Sequence, residues 1–216
     1  METIFNKLID DEVKKNENKC KIITIEGIDG SGKTTVVNSC VNKLHEKGYR
    51  AEHFYTSSNY NIYWNTVENL QNKGLIDIST NQILHNLAFL TYLRTEFINL
   101  LNNNDFLISE WYIYGKLLLS ELYDESYKSK DILTSYLNEG KIIMPDYSYY
   151  LSLPIEIAYE RIINRNERIE SKESLIMLKK AAELWKNYIK QYDIEIIDAT
   201  LTPNEISDII IKRLKI

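Results

Sequence analysis

The segment that most constrains the fold is a glycine-rich loop at residues 27–34, GIDGSGKT, which matches the pattern G-x-x-x-x-G-K-[ST]. A short apolar run at 22–25 precedes the loop, and a stretch with helical spacing of apolar residues follows it from Thr34 to Lys47. A strand, a glycine loop and a helix in this order bring backbone N–H groups and the positive end of the helix to one point. The sequence therefore predicts a phosphate-binding loop, for which the alternative is a glycine turn without a ligand.

Each residue type in this loop suits nucleotide phosphates. Glycines let the backbone curl around phosphate oxygens, Lys33 can reach the β and γ phosphates, and the Thr34 hydroxyl is placed to bind Mg²⁺. We expect ATP and Mg²⁺ as cofactors. The predicted nucleotide-binding residues of the loop are Gly27, Asp29, Gly30, Ser31, Gly32, Lys33, Thr34 and Thr35.

The rest of the chain alternates between strand-like and helix-like segments. Short apolar runs predict strands at 52–56, 106–109, 147–153 and 194–197. Helical spacing or capping residues predict helices at 59–72, 80–101, 113–122, 132–137, 154–166 and 174–192, and from 203 onward. Alternation of this kind predicts a parallel sheet covered on both faces. We expect one α/β domain over residues 21–216, preceded by an N-terminal extension at 1–20.

Composition excludes several classes of partner. The net charge of −5 and the pI near 5.4 argue against a surface that binds a nucleic acid polymer. No apolar run approaches the roughly 20 residues of a membrane span, and the N-terminus has no readable signal peptide. Cys20 and Cys40 lack metal-ligand spacing, so we expect two idle thiols and a cytoplasmic protein.

Four segments together resemble the thymidylate kinase family. The loop in its longer form, IEGIDGSGKTT at 25–35, is similar to the loop of that family. The resemblance continues through PDYSYYLSLP at 145–154, AYERIINRNERIE at 158–170 and IIDA at 196–199. In order and spacing these segments cover roughly residues 21–215.

This resemblance implies a P-loop kinase fold, with a five-stranded parallel sheet in the order 2-3-1-4-5, helices on both faces and a helical lid. It implies ATP- and Mg²⁺-dependent phosphorylation of dTMP to dTDP, with Asp198 and Ala199 beside the adenine. It also implies small nucleotide substrates and a homodimer paired through the helices at 80–101 and 113–122.

Three arginines lie at helical spacing in the third of these segments. Arg161, Arg165 and Arg168 are four and three residues apart, so a helix places them on one face. Guanidinium groups suit the charge that spreads over a transferring phosphoryl group, although such a face is often simply solvated. The resemblance makes residues 161–173 the lid, with Arg161 on ATP and with Arg165 and Arg168 catalytic.

The acceptor side departs from the family pattern. Glu110 ends the third predicted strand and stands for the family's acid, so we expect it in catalysis, at the metal and near the acceptor; a solvated acid is the alternative. Trp111 occupies the position of the family's phosphate-binding arginine. This difference leaves open a deoxynucleoside kinase, a kinase with another small acceptor, or an inactive nucleotide-binding regulatory protein.

Three further residues are acceptor candidates by resemblance. Asp29 matches the acid that the family places near the acceptor sugar. Phe89 and Arg94 match the family less closely: the family has Phe-x-x-x-Arg, and here the pair is one residue further apart, which turns it by about 100° around a helix. A core role for Phe89 and a surface role for Arg94 are the alternatives.

Overall fold

The computed structural model describes residues 20–56, 62–123, 128–165 and 174–216. Five strands form one sheet in which all neighbouring strands are parallel, and their order is β2-β3-β1-β4-β5. The strands are β1 Lys21–Glu26, β2 Ala51–His53, β3 Phe106–Glu110, β4 Tyr147–Ser152 and β5 Glu195–Asp198. The predicted α/β fold and strand order are confirmed.

Helices cover both faces of this sheet. In the described part of the chain they are α1 Lys33–Glu46, α2 Ile62–Asn72, α3 Ile78–Arg94, α4 Glu96–Asn103, α5 Ile113–Tyr123, α6 Lys128–Asn138, α7 Ile155–Ile163, α8 Leu175–Gln191 and α9 Pro203–Arg213. The α1 helix packs against α9, and α5 packs against α3, α6 and α8. None of these helices is long and apolar enough to cross a membrane.

The central strand β1 determines where the functional groups lie. Ile22, Ile23 and Ile25 are buried because helices cover both sides of the strand. Ile25 stands opposite Glu110 on β3 and Tyr149 on β4, so the carboxyl ends of the three strands lie at one edge of the sheet. The phosphate loop leaves β1 at that same edge, which is where open α/β sheets bind ligands.

The prediction of one helix over 80–101 is wrong, because two helices occupy that range. Helix α3 begins earlier, where the Asp77 carboxylate caps it by accepting the Thr80 N–H at 2.7 Å. It ends at Thr95, whose φ of −118° and ψ of −84° are not helical. The Thr91 and Thr95 hydroxyls donate back to carbonyls of the preceding turn, which competes with regular helix geometry.

Some predicted features fall outside the described residues. They are residues 1–19, which make up nearly all of the predicted N-terminal extension, and residues 166–173, which make up the greater part of the predicted lid. Arg168 is therefore not described. Cys20 and Cys40 are both unpaired and buried, and burial raises the pKa of each thiol to about 12.

Helix α9 begins with a capping box. The Thr202 hydroxyl accepts the N–H of Glu205, and the Glu205 carboxylate accepts the Thr202 N–H at 2.9 Å. Helix α9 packs along α1, where the Ser39 and Ser207 hydroxyls lie 2.8 Å apart. This cap therefore supports the helix that follows the phosphate loop.

Replacing Thr202 with alanine should lower the free energy of unfolding by about 1 kcal/mol, because one N–H at the start of α9 loses its acceptor. Urea denaturation followed by circular dichroism measures the change. Thr91→Ala is the matched control, since Thr91 lies inside a helix and alanine favours that conformation. Equal stability of the Thr202 variant and the wild type would show that the cap contributes nothing.

Candidate active site

Lys33 lies at the centre of the phosphate loop and is nearly fully buried. Its ammonium donates hydrogen bonds of 3.0 Å to the carbonyl oxygens of Gly27 and Ile28, and it lies 3.5 Å from the Asp29 carboxylate. These contacts draw the loop around the ammonium. The predicted loop residues Gly27, Asp29 and Lys33 are therefore brought together, with the lysine surrounded by oxygen atoms.

Two glycines leave the inside of the loop free of side chains. Gly30 has φ +81°, and a Cβ added there would lie 2.3 Å from the Ala158 carbonyl oxygen on α7. Gly32 has φ +92°, and a Cβ there would meet only the Arg161 guanidinium, at 3.9 Å. The first glycine is required by close packing, and the second leaves the space next to the loop backbone open.

Two further loop residues have different environments. Ser31 is buried, and its hydroxyl has no hydrogen-bond partner within the described part of the chain. Thr35 is exposed at the third position of α1.

Thr34 and Glu110 meet across the edge of the sheet. The Thr34 hydroxyl lies 2.8 Å and 3.0 Å from the two carboxylate oxygens of Glu110, although the residues are 76 positions apart in the chain. A hydroxyl and a carboxylate are both oxygen ligands, which Mg²⁺ prefers. This pair therefore fits the predicted metal site. No group of three or more His, Cys, Asp and Glu side chains that could hold a metal occurs in the described ranges.

Arg161 links two loops that are distant in sequence. Its guanidinium donates to the Gly30 carbonyl at 3.5 Å and to the Ala199 carbonyl at 3.4 Å. The Ala199 N–H in turn donates to the Ser152 carbonyl at the end of β4. The phosphate loop, the start of the lid and the loop after β5 are thus brought to one place, as the prediction for nucleotide binding requires.

Asp198 has a local role in this arrangement. Its carboxylate accepts the N–H and the hydroxyl of Thr200, both at 2.8 Å, and these bonds lower its pKa. Asp198 therefore shapes the turn that presents Ala199. Of the two predicted catalytic arginines, only Arg165 is described; it is exposed, just beyond the end of α7.

Trp111 covers the phosphate-loop lysine. The Lys33 ammonium lies 4.6 Å from the centre of the indole ring, a cation–π contact. Trp111 has φ +56°, which is unusual for a large side chain, and its carbonyl accepts the Thr56 hydroxyl at 3.0 Å. The residue in the position of the family's arginine therefore contacts the donor side of the site.

Phe89 and Arg94 both contact aromatic rings of their own chain. The Phe89 ring is fully buried and packs 5.8 Å from the Tyr112 ring, so it is a core residue. The Arg94 guanidinium lies 5.5 Å from the centre of the Tyr136 ring on α6. These contacts follow from the packing of α3 against α5 and α6, and the acceptor role of the two residues stays a prediction.

Two residues of the site, His53 and Glu26, were not predicted from the sequence. His53 ends β2 with Nε2 3.8 Å from the Glu110 carboxylate, and burial lowers its pKa to about 4, so it is neutral near pH 7. Glu26 ends β1, is fully buried, and has its pKa raised to about 7 by burial. Their position as the last residues of two strands is the signal that could have identified them.

Comparison with known proteins agrees with this geometry. The family model of thymidylate kinase matches residues 25–210. A thymidylate kinase of Leptospira interrogans is 30% identical over 197 residues, covering 88% of this chain and 92% of the relative.

Two further relatives are similar over comparable lengths. A thymidylate kinase of Leptospira borgpetersenii is 28% identical over 193 residues, with 85% of this chain and 88% of the relative covered. A probable thymidylate kinase of Saccharolobus solfataricus is 26% identical over 194 residues, with coverages of 89% and 95%. The family match spans most of the chain and includes every described group of the phosphate site, and the chain therefore belongs to the thymidylate kinase family.

Proposed function

We propose that this chain is an ATP- and Mg²⁺-dependent kinase that transfers the γ-phosphoryl group of ATP to dTMP, giving ADP and dTDP. The observation that carries the proposal is the convergence of Lys33, Thr34, Glu110 and Arg161 around one loop in a member of this family. The relatives named above supply the acceptor, since their names specify thymidylate.

Lys33 would act on the donor phosphates. In the ligand-free loop its ammonium is bonded to two carbonyl oxygens, which phosphate oxygens would replace. Because Lys33 is buried, its charge is screened less than an exposed charge and acts strongly on the phosphoryl group.

The Thr34 hydroxyl and the Glu110 carboxylate would hold Mg²⁺, whose charge neutralises the phosphate oxygens when it is bound. Glu110 would also orient the acceptor. Asp29, whose carboxylate lies 3.5 Å from the Lys33 ammonium, would contact both the donor and the acceptor.

The lid would supply the remaining positive charge. The loop carries no basic residue except Lys33, and Gly30 has no room for any side chain. A cation for the transferring group therefore has to come from another element. Arg161 already contacts the loop, and Arg165 follows four residues later, so the lid would supply guanidinium groups.

Trp111 favours a second candidate function. An indole cannot bind the phosphate of an acceptor nucleotide as a guanidinium would, so a nucleoside or another small acceptor is the alternative. A protein that binds nucleotide without transfer is the third possibility. An assay that couples ADP release to NADH oxidation, run across nucleosides and nucleoside monophosphates, separates the three functions. We expect the highest kcat/KM for dTMP. A preference for thymidine would support the second function, and the absence of turnover with every acceptor would support the third.

We also propose a cytoplasmic homodimer. Two unpaired, buried thiols suit a reducing compartment. Of the two helices that the resemblance implies at the dimer interface, α5 has Ile113, Leu117 and Leu118 buried within its own chain, whereas α3 leaves Leu87 exposed. Light scattering should give twice the chain mass, and Leu87→Glu should shift the mass toward that of one chain; a wild type with the mass of one chain would contradict the dimer.

Replacing Lys33 with alanine should lower kcat by about 10²-fold or more, on the order of the loss seen when other electrostatic donors are removed. Steady-state ADP release measures it, and circular dichroism checks the fold. Lys43→Ala is the matched control, because Lys43 lies on the same helix and pairs with Asp208 away from the loop. A folded Lys33 variant with unchanged kcat would refute the kinase proposal.

The arginines of the lid give a second test. Replacing Arg165 or Arg168 with alanine should lower kcat with little change in ATP affinity, because the charge acts in the transition state. Lysine at either position should recover only part of the rate, since an ammonium lacks the planar fork of donors. Arg50→Ala, which removes a pair with Asp105 at the opposite edge of the sheet, is the control. Unchanged kcat in both alanine variants would mean that these two arginines have no part in catalysis.

A further inference from the structure

Glu26 is a buried carboxylate to which the proposed reaction assigns no role. It is the last residue of β1 and has no exposed surface. Its Oε1 atom accepts the Thr24 hydroxyl at 2.7 Å and the Tyr112 N–H at 3.1 Å, whereas Oε2 accepts no regular hydrogen bond from the described residues. A buried carboxylate with a poorly satisfied oxygen costs stability, so its position needs an explanation.

The groups that face Glu26 are the first N–H groups of α5. Tyr112 directly precedes this helix, and the Gly115 N–H also points to the carboxylate and lowers its pKa. The first N–H groups of a helix have no partner inside it and carry its positive end. Side chains near the helix start usually accept hydrogen bonds from these groups, and here the acceptor of the Tyr112 N–H is Glu26. Glu26 therefore caps α5 from a neighbouring strand.

Gly115 makes this cap possible. A Cβ at this position would lie 2.9 Å from Glu26 Oε2 and 2.6 Å from the Trp111 ring. Only glycine allows the helix to approach the carboxylate and the indole so closely. Close packing thus joins β1, the start of α5 and Trp111 into one unit.

The segment held by this cap carries two groups of the candidate active site. Glu110 contacts the Thr34 hydroxyl at 2.8 Å, and the Trp111 ring lies 4.6 Å from the Lys33 ammonium. Both residues lie between the end of β3 and the N–H groups that Glu26 caps. A shift at the start of α5 would therefore move both groups relative to the phosphate loop.

We infer that Glu26 is a positioning residue: its carboxylate caps α5 and thereby holds Glu110 and Trp111 over the phosphate loop. This inference rests on the proposed kinase function for its effect on rate. The cap acts best when it is charged, because the positive end of a helix favours an anion.

Burial raises the pKa of Glu26 to about 7, while Lys33 and the donor groups of Thr24, Tyr112 and Gly115 act in the opposite direction. The titratable side chains that face Glu26 are Lys33 from α1 and Tyr114 from α5. The adjacent strands place two more, Tyr150 and Glu110, beside β1. A carboxyl whose pKa is raised in the folded state binds its proton more tightly there than in the unfolded chain. The stability that the protonated Glu26 carboxyl contributes is thus present at low pH and is lost as the pH rises through about 7. Above that pH the charged form of the cap therefore lowers the free energy of unfolding relative to the protonated form.

The test is Glu26→Gln, which keeps the shape and one acceptor oxygen but removes the charge. At about pH 8 we expect kcat to fall on the order of 10-fold, with the KM for ATP little changed, because misplaced groups affect mainly the transition state. The ratio of wild-type to variant kcat should decline toward one at about pH 6, where Glu26 is protonated in the wild type. Substrate phosphates also titrate in this range, but they do so equally for both enzymes and cancel in the ratio.

Glu121→Gln is the matched control. Glu121 lies on the same helix, nine residues beyond Tyr112 and so about 13 Å away along the axis, where it binds Lys130 and the Tyr188 hydroxyl. Its ratio to wild type should not depend on pH. If the Glu26 variant shows a ratio near one throughout, or a constant loss at every pH, the positioning role of the charge is wrong.

A second variant keeps the inference testable if Glu26→Gln does not fold. In the wild type, kcat should fall as the pH drops and Glu26 takes up a proton. Thr24→Val removes a hydrogen bond that lowers the pKa of Glu26, so the midpoint of this fall should lie at a higher pH in the variant than in the wild type. An unchanged midpoint would contradict the inference.

Trp111 fluorescence provides a readout that needs no turnover. Because the ring lies in the segment that Glu26 holds, ligand-free wild type should change its emission between about pH 6 and pH 8. The change should be absent in Glu26→Gln, and Trp111→Phe identifies its source. Failure to release ADP with any acceptor would refute the kinase function alone, whereas the same emission change in the wild type and in Glu26→Gln would refute the role of Glu26.

Discussion

The burial of β1 between two strands and two layers of helices is the constraint on which the site depends. The strand pairs with β3 on one side and β4 on the other, and Asp146 anchors its start by accepting the Ile22 N–H at 2.9 Å. Because the strand cannot shift against these neighbours, the loop that leaves it has a defined origin. Lys33, Thr34 and Glu110 then meet without any long-range adjustment.

Close packing also divides the chemistry between elements. Gly30 touches the Ala158 carbonyl so closely that the phosphate loop cannot carry a side chain there. The same contact brings α7 against the loop, and α7 carries Arg161. One steric contact therefore both excludes a cation from the loop and delivers a cation from the lid helix.

Much of the fold could be predicted from local signals. The residues at 27–34 specify a phosphate loop because their backbone requirements are met within eight consecutive positions, and the capping box of α9 spans only four. The break at Thr95 was not predicted, because the spacing of apolar residues continues through it, and the same spacing left both a core role and an acceptor role open for Phe89. The environment of Phe89 depends on which groups pack against α3, and that information is absent from the spacing of apolar residues alone.

The candidate site, too, could be predicted only where its signals are local in the sequence. The contact of Lys33 with Trp111 and the cap that Glu26 provides join residues 78 or more positions apart, and only the assembled sheet brings them together. Such residues differ from the loop glycines in a physical sense. The role of Trp111 and Glu26 depends on the neighbours that the fold supplies. The role of the loop glycines depends on the conformational freedom of their own backbone.

The bridge that Arg161 makes between Gly30 and Ala199 has a consequence for the order in which the protein is made. Residue 30 leaves the ribosome long before Ala199, because Arg161 joins two positions that are far apart along the chain. Helix α9, which supports the helix after the loop, follows later still. The nucleotide site therefore cannot be completed until β5 and α9 have been synthesised, and a nascent chain that still lacks them would hold the phosphate loop without the contacts that enclose it.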